Sequence, residues 1–383
     1  MNLAELLDPV TPQSFVAEYW EKCPLLSHGA ADRFANVFSS RDMGRLLQYQ
    51  RPRSPEGIML VKGSRHCDIN WIHPDGSPRL DKVRTAFQDG YTVVVNKMER
   101  LWEPVALFTA ALEQELHHPI HVNLYYTPAG TQGFEAHYDV MDVFILQLEG
   151  TKVWEIREPA ANLPLPDEHA PLNKDRLPPV VFEEELRAGT VLYLPRGQVH
   201  SARTNTTASL HLTFGINVVT WIDLFSAAIS AARQDPRFKQ SLPPGFFAAP
   251  DRMRARFETL VDEMKQHLQM DDALARLAEQ LIVPKAAPGQ SMLPEEPELR
   301  VDSVVTRRTG VICRAIDGPG YAGIHYSGGR MVGPGKVAAG MRFVAENTTF
   351  PVSALPDNLN EKEKLVLARR LVKDGLLRVK EAE

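Results

Sequence analysis

Three side chains in the middle of this 383-residue chain have the chemistry of metal ligands. His137 and Asp139 stand two residues apart in Gly-Phe-Glu-Ala-His-Tyr-Asp, and His200 ends the run Gly189-Thr-Val-Leu-Tyr-Leu-Pro-Arg-Gly-Gln-Val-His. On an extended strand, residues i and i+2 point to the same side, so the His137 imidazole and the Asp139 carboxylate converge. His200 follows a strand broken by Pro195 and Gly197, and in a closed sheet such a turn brings it opposite the pair. Two neutral imidazoles and one carboxylate on one side of a metal form a facial triad, which leaves positions open and suits non-haem Fe(II) in oxygen chemistry. A His-x-Asp alone is weak, since any alternating strand produces it; its weight comes from its company.

Lys152 is part of that company. It follows the Glu149-Gly150 turn inside an otherwise apolar strand sequence. Pointed inward, a lysine is costly unless it meets an anion, and the far carboxylate of a dicarboxylate cosubstrate would be one. Pointed outward on a two-sided strand, it would simply be solvated. Asn123 and Tyr125, again i and i+2, could hydrogen-bond the same cosubstrate or satisfy backbone groups. His211 reads either as a core histidine or as a group that orients a ligand. The turns Gly318-Pro-Gly320 and Gly333-Pro-Gly335 are not phosphate loops, because no Gly-Lys-Ser/Thr follows them.

The elements that must position these residues are short β-rich runs: 121–127, 140–148, 151–157, 189–194 and 209–219. Their spacing and turns suggest a β-barrel or double-sheet jelly roll. The first hundred residues read as helices (12–22, 41–49) joined by polar connections, with no chemistry of their own. After Thr220 the pattern turns helical, at 221–234 and again from Asp251 to Leu281, where one apolar face must be covered by the barrel or by a second chain. Pro284, Pro288, Pro294 and Pro297 give residues 284–299 a linker composition. In the last unit Asn360 and Glu363 form a capping box for a helix that Gly375 ends, and a short strand at 376–379 follows; this is compatible with a winged helix.

Composition narrows the class. No stretch is long and apolar enough to span a bilayer, and the N-terminus does not read as a secretory signal, which places the protein in the cytoplasm. Cys23, Cys67 and Cys313 are too few and too scattered for a disulfide framework or a zinc knuckle. The net charge of -5 makes no general case for nucleic acid. From Arg300 onward 14 basic residues face 9 acidic ones, a mild asymmetry that leaves nucleic-acid contact open.

The stretch from Asn123 to Asp139, the run on to Trp154 and the segment Leu194-Pro-Arg-Gly-Gln-Val-His200 together resemble the JmjC-type 2-oxoglutarate oxygenases, and within them the ribosomal oxygenases. Weaker similarity runs from Phe15 to the 363–373 segment. The resemblance implies an α+β chain: a JmjC/cupin double-stranded β-helix (1–220), a helical dimerisation region (221–283), the linker (284–299) and a winged-helix domain (300–383). It implies Fe(II) held by His137, Asp139 and His200, 2-oxoglutarate bound through Lys152, with Asn123 and Tyr125 beside it, and O2 as the second cosubstrate. The long basic N-terminal extension of the nucleolar members is missing, which points to a bacterial-type protein.

The expected activity is hydroxylation of a His or Arg side chain in a ribosomal protein by a homodimer. Hydroxylation of a precursor peptide and N-methyl demethylation are alternatives with the same machinery. A cupin metalloenzyme acting on a small molecule would want a richer His/Glu set and no role for Lys152. A non-catalytic peptide- or nucleic-acid-binding scaffold would not need the triad.

Overall fold

A computed structural model describes residues 1–248, 250–285, 298–318 and 320–380. They form two compact units, Met1–Val218 and Val219–Glu383.

Two facing antiparallel sheets build the first unit. Its strands are β1 Leu25–Ser27, β2 Ile58–Lys62, β3 Arg65–His66, β4 Thr92–Val95, β5 Ile120–Thr127, β6 Asp142–Glu149, β7 Thr151–Pro159, β8 Val180–Arg187, β9 Val191–Leu194, β10 Gln198–Arg203 and β11 Ser209–Ile216. The larger sheet has the order β1-β9-β6-β11-β5-β4-β2-β3, and the smaller β10-β7-β8. Alternation assigns the two faces of the larger sheet. Val122, Leu124, Phe144, Leu146, Leu212 and Phe214 face outward into a core shared with Phe15, Leu46, Val83 and Phe108. Those four come from or near the helices α1 Leu3–Leu7, α2 Pro12–Glu18, α3 Met43–Arg45, α4 Leu80–Gln88 and α5 Glu103–Leu116. Val143, Ile145 and Leu192 face inward, against Trp154, Ile156 and Leu186 of the smaller sheet.

The crossing from one sheet to the other is made at Gly150, between β6 and β7. Its φ is +66°, and a Cβ there would sit 1.8 Å from the Ala208 carbonyl oxygen, so only glycine fits. This tight turn sends Lys152 and Trp154 back across the space between the sheets.

All five expected strands of this region are present with shifted ends, the last stopping at Ile216 rather than Val219. The reading of the first hundred residues needs correcting, since β2 and β4 lie there and extend the larger sheet next to β5. β8 and β10 were also not anticipated. β8 is largely exposed and carries Glu183-Glu184-Glu185, so no apolar alternation marks it.

In the second unit, α6 Trp221–Ile229 starts at a Thr220–Asp223 capping box. The single helical run expected from Asp251 is two helices, α7 Asp251–Met264 and α8 Met270–Leu281, interrupted at residues 265–269. Then come β12 Val304–Arg307, the meander β13 Cys313–Gly318, β14 Tyr321–Tyr326 and β15 Gly329–Pro334, then α9 Ala338–Glu346, β16 Thr349–Pro351, α10 Glu361–Lys373 and β17 Leu377–Val379. β12 is the middle strand of a small sheet with β16 and β17. The Asn360–Glu363 capping box of α10 is formed as expected. Most of the proline-rich stretch 284–299 lies outside the described residues. Among the described residues no helix is long and apolar enough to cross a membrane.

Candidate metal centre

His137 and His200 are joined through their own backbones. The His200 N–H donates to the His137 carbonyl at 2.8 Å, and the His137 N–H donates to the His200 carbonyl at 3.1 Å. Residues so paired in an antiparallel bridge project their side chains to one side. The two imidazole rings accordingly lie 4.5 Å apart, centre to centre. His200 sits on β10, whereas residues 137–139 form an extended segment outside any regular strand; β6 begins only at Asp142. Alternation still carries Asp139 to the same side as His137, and a Gly197 N–H to Asp139 carbonyl bond of 2.8 Å holds that segment against the turn before His200.

Ligand atoms of His137, Asp139 and His200 all lie within 4.8 Å of one another, the one such group among the described residues. His137 Nδ1 is 2.8 Å from the Glu135 carbonyl oxygen, and His200 Nδ1 is 3.0 Å from that of Gln198. A carbonyl only accepts, so each Nδ1 carries the proton and each Nε2 keeps a free lone pair. Burial, and then the neighbouring His137 ring, push the His200 pKa down to about 4 against the pull of Asp139, so the ring is neutral at ordinary pH. Neutral imidazole is the form that binds metal. The donor set therefore fits a divalent ion.

Beside these residues a cavity of about 300 Å³ opens between the sheets. Asn123 and Tyr125 line it from β5, His211 and Thr213 from β11, and Lys152 and Trp154 from β7. Lys152 points inward and is 5% exposed. Its Nζ donates to the Thr127 hydroxyl at 3.1 Å, and Thr127 also accepts from Thr92 at 3.1 Å. Burial alone lowers the Lys152 pKa to about 7. An ammonium held this deep, with no carboxylate partner among the described residues, fits the far end of a dicarboxylate. Tyr125 stacks on His211 with centroids 4.8 Å apart, and its phenol is pushed up by burial and then by Asp139.

Several residues of the cavity escaped the sequence reading: Met59, Thr92 and Asn96 from the first hundred residues, Phe134, and Trp154. Thr127 and Trp154 did carry a signal, as each is two residues beyond a residue already singled out. Met59, Thr92 and Asn96 carried none, because they reach the site through the pairing of β4 with β2 and β5.

Comparison with known proteins agrees with this architecture. The JmjC domain family matches residues 100–224. Ribosomal oxygenase 2 of Mus musculus is 29% identical over 291 residues, which cover 72% of this chain and 59% of that protein. Ribosomal oxygenase 1 of Gallus gallus is 32% identical over 282 residues, covering 69% of this chain and 46% of that one. The chain thus spans about half the length of these curated relatives. Among solved structures, YcfD of Escherichia coli, a ribosomal oxygenase in complex with cobalt and 2-oxoglutarate, superposes with a TM-score of 0.57 at 18% identity, over 97% of this chain and 99% of that one. The chain therefore carries a JmjC domain at residues 100–224, has the β-rich α+β fold of YcfD, and is a relative of the ribosomal oxygenases.

Proposed function

We propose that this protein is an Fe(II)- and 2-oxoglutarate-dependent hydroxylase of a protein side chain. The observation that carries the reading is the meeting, at one cavity, of the His137–Asp139–His200 set with the buried Lys152, which has no carboxylate partner among the described residues. YcfD, whose fold the chain shares, is described with cobalt and 2-oxoglutarate together.

In this reading His137 and His200 offer their Nε2 atoms and Asp139 its carboxylate to the iron. Lys152 pairs with the far carboxylate of 2-oxoglutarate, with Asn123 and Tyr125 alongside as hydrogen-bonding groups. Bound there, iron and cosubstrate supply oxygen activation: 2-oxoglutarate and O2 yield succinate and CO2 while one oxygen atom goes to the substrate. Val143, Ile145 and Trp154 keep water from the inner end, and the backbone bonds between His137 and His200 hold the ligand atoms in place beforehand.

The substrate is a ribosomal protein, hydroxylated on a His or Arg side chain in the cytoplasm; the names of the relatives support the first part. The second unit fits a division into a helical dimerisation region (221–283), a linker (284–299) and a winged-helix domain (300–383). Trp221, Ile222, Phe225 and Ile229 of α6 are all at least half exposed, an apolar face suited to a second copy of the chain.

Anaerobic addition of Fe(II) and 2-oxoglutarate tests the proposal through the weak visible charge-transfer band expected of the ternary complex. Absence of that band in the parent protein would sink it. Mass spectrometry of ribosomal proteins from cells with and without the protein then identifies the target as one oxygen atom gained or missing.

A further inference from the structure

The inner end of the cavity holds more hydrogen-bonding capacity than the assignments so far use. His211 is 2% exposed, lines the cavity, and its Nδ1 has no hydrogen-bond partner among the described residues. Trp154, two residues from Lys152 on the same face of β7, has an equally unpartnered Nε1–H. Its ring meets that of His211 edge-on, with centroids 5.6 Å apart. Buried polar groups left unmatched are uncommon, and each calls for an explanation. Across the strand pair, Gln147 spends its amide nitrogen on the Glu149 and Leu210 carbonyls and on Ser209, and its own oxygen stays unmatched. His211 is therefore not tied down by its neighbour on β6.

A buried carboxylate has lone pairs for about four hydrogen bonds. Lys152 has three N–H groups, and one is already given to Thr127. The two that remain, with the Tyr125 hydroxyl assigned beside them, still leave about one lone pair of such an anion unmet, and an anion buried that way is costly. We infer that His211 is a second anchor, beside Lys152, for the far carboxylate of the 2-oxo dicarboxylic acid, and that its N–H makes the cavity prefer that acid to one with an uncharged end. Burial first, and then the Lys152 charge, keep the His211 ring neutral. A neutral donor adds a hydrogen bond without a second positive charge, so one ammonium and one carboxylate cancel. The assignment rests on the 2-oxoglutarate reading above and adds to it the residue that sets cosubstrate selectivity.

Anaerobic calorimetry on the Co(II)-loaded protein separates the two levels, with 2-oxoglutarate and 2-oxopentanoate, its equally long analogue with a methyl end, as probes. In the parent, 2-oxoglutarate should bind far more tightly. His211→Phe should weaken 2-oxoglutarate roughly tenfold or more and leave 2-oxopentanoate within about twofold. His211→Asn, which restores an N–H donor, should recover most of the loss. His211→Val serves the same purpose if the phenylalanine variant does not fold. Undiminished 2-oxoglutarate affinity in a folded variant lacking the donor overturns the role of His211 and leaves the cosubstrate reading standing. A parent protein that binds both acids alike overturns both.

Discussion

The Asp142 carboxylate, fully buried at the start of β6, accepts the Arg196 guanidinium at 3.3 Å and the Arg196 backbone N–H at 3.2 Å. Tyr193 donates to the same carboxylate, and Arg196 also pairs with Glu21. The pair ties the strand that follows Asp139 to the turn that precedes His200. Burial raises the Asp142 pKa while Tyr193 and Arg196 lower it, so the carboxylate depends on these partners to stay ionised. Arg196→Met should destabilise the protein by about 3–5 kcal/mol, the usual result of leaving one buried charge behind. It should also weaken divalent-metal binding. Unchanged melting temperature and Co(II) affinity would refute the coupling of this pair to the metal centre.

Removing a ligand has a sharper outcome. His137→Ala and His200→Ala should each lower Co(II) or Fe(II) affinity more than about a hundredfold, beyond the 10–100-fold typical of outer partners. Far-ultraviolet circular dichroism should stay parent-like, since the backbone bonds between residues 137 and 200 remain. Equilibrium dialysis with metal analysis gives the answer.

Cosubstrate binding should depend on pH through Lys152. Its pKa near 7 in the free protein means that the cationic form, which the carboxylate needs, predominates below pH 7 and is lost above it. Affinity for 2-oxoglutarate should be full below that point and fall by up to about tenfold per pH unit above it. Stability runs the other way. The folded pKa lies below the ordinary lysine value, so the penalty is complete below pH 7 and fades as pH rises toward about 10.4. Lys152→Met should abolish the pH dependence along with most of the affinity; titration calorimetry from pH 6 to 9 decides, and a flat parent profile would count against Lys152.

Much of this centre could be read in the chain because its parts are local. His137 and Asp139 are two residues apart, and Lys152 shares one strand face with the apolar Trp154 and Ile156. His200 closes a segment with a plain turn. What could not be read depends on pairing between distant segments. Thr92-Val-Val-Val is too short an apolar run to announce an inner strand, and nothing near Met59 or Asn96 indicates that β4 will lie beside β5. The sequence leaves His211 open between a core histidine and a group that orients a ligand, because its unmatched nitrogen appears only once the cavity around it is formed.

Gly197 offers a test of backbone geometry. Its φ is +84°, and a Cβ would approach the Ala161 carbonyl oxygen to 2.0 Å. Gly197→Ala should move the turn before His200, lowering both the melting temperature and metal affinity. Gly44→Ala is the control, with nothing within 4 Å of its Cβ, and should be neutral or stabilising by up to about 1 kcal/mol. Equal effects at the two sites would contradict the geometry.

The apolar face of α6 predicts an oligomer. Light scattering should report about twice the 42.9 kDa chain mass for the parent. Phe225→Asp combined with Ile229→Asp should give a monomer, since two charges cannot be buried in an apolar contact at bearable cost. A monomeric parent at micromolar concentration would remove the dimer from the proposal.

The hydrogen-bonded bridge between His137 and His200 has one more consequence. It closes about sixty residues into a loop whose two ends are fastened at the metal centre itself, and an ion shared by both rings would fasten them again. The outermost part of that loop, residues 160–179, is mostly irregular and solvent-facing. A protease nick there would leave both severed ends clamped in register by that bridge, and the segment has its own ties to the ligand-bearing stretch, with the Ala170 N–H donating to the Tyr138 hydroxyl at 2.9 Å and the Ala160 N–H to the Gly197 carbonyl at 3.0 Å.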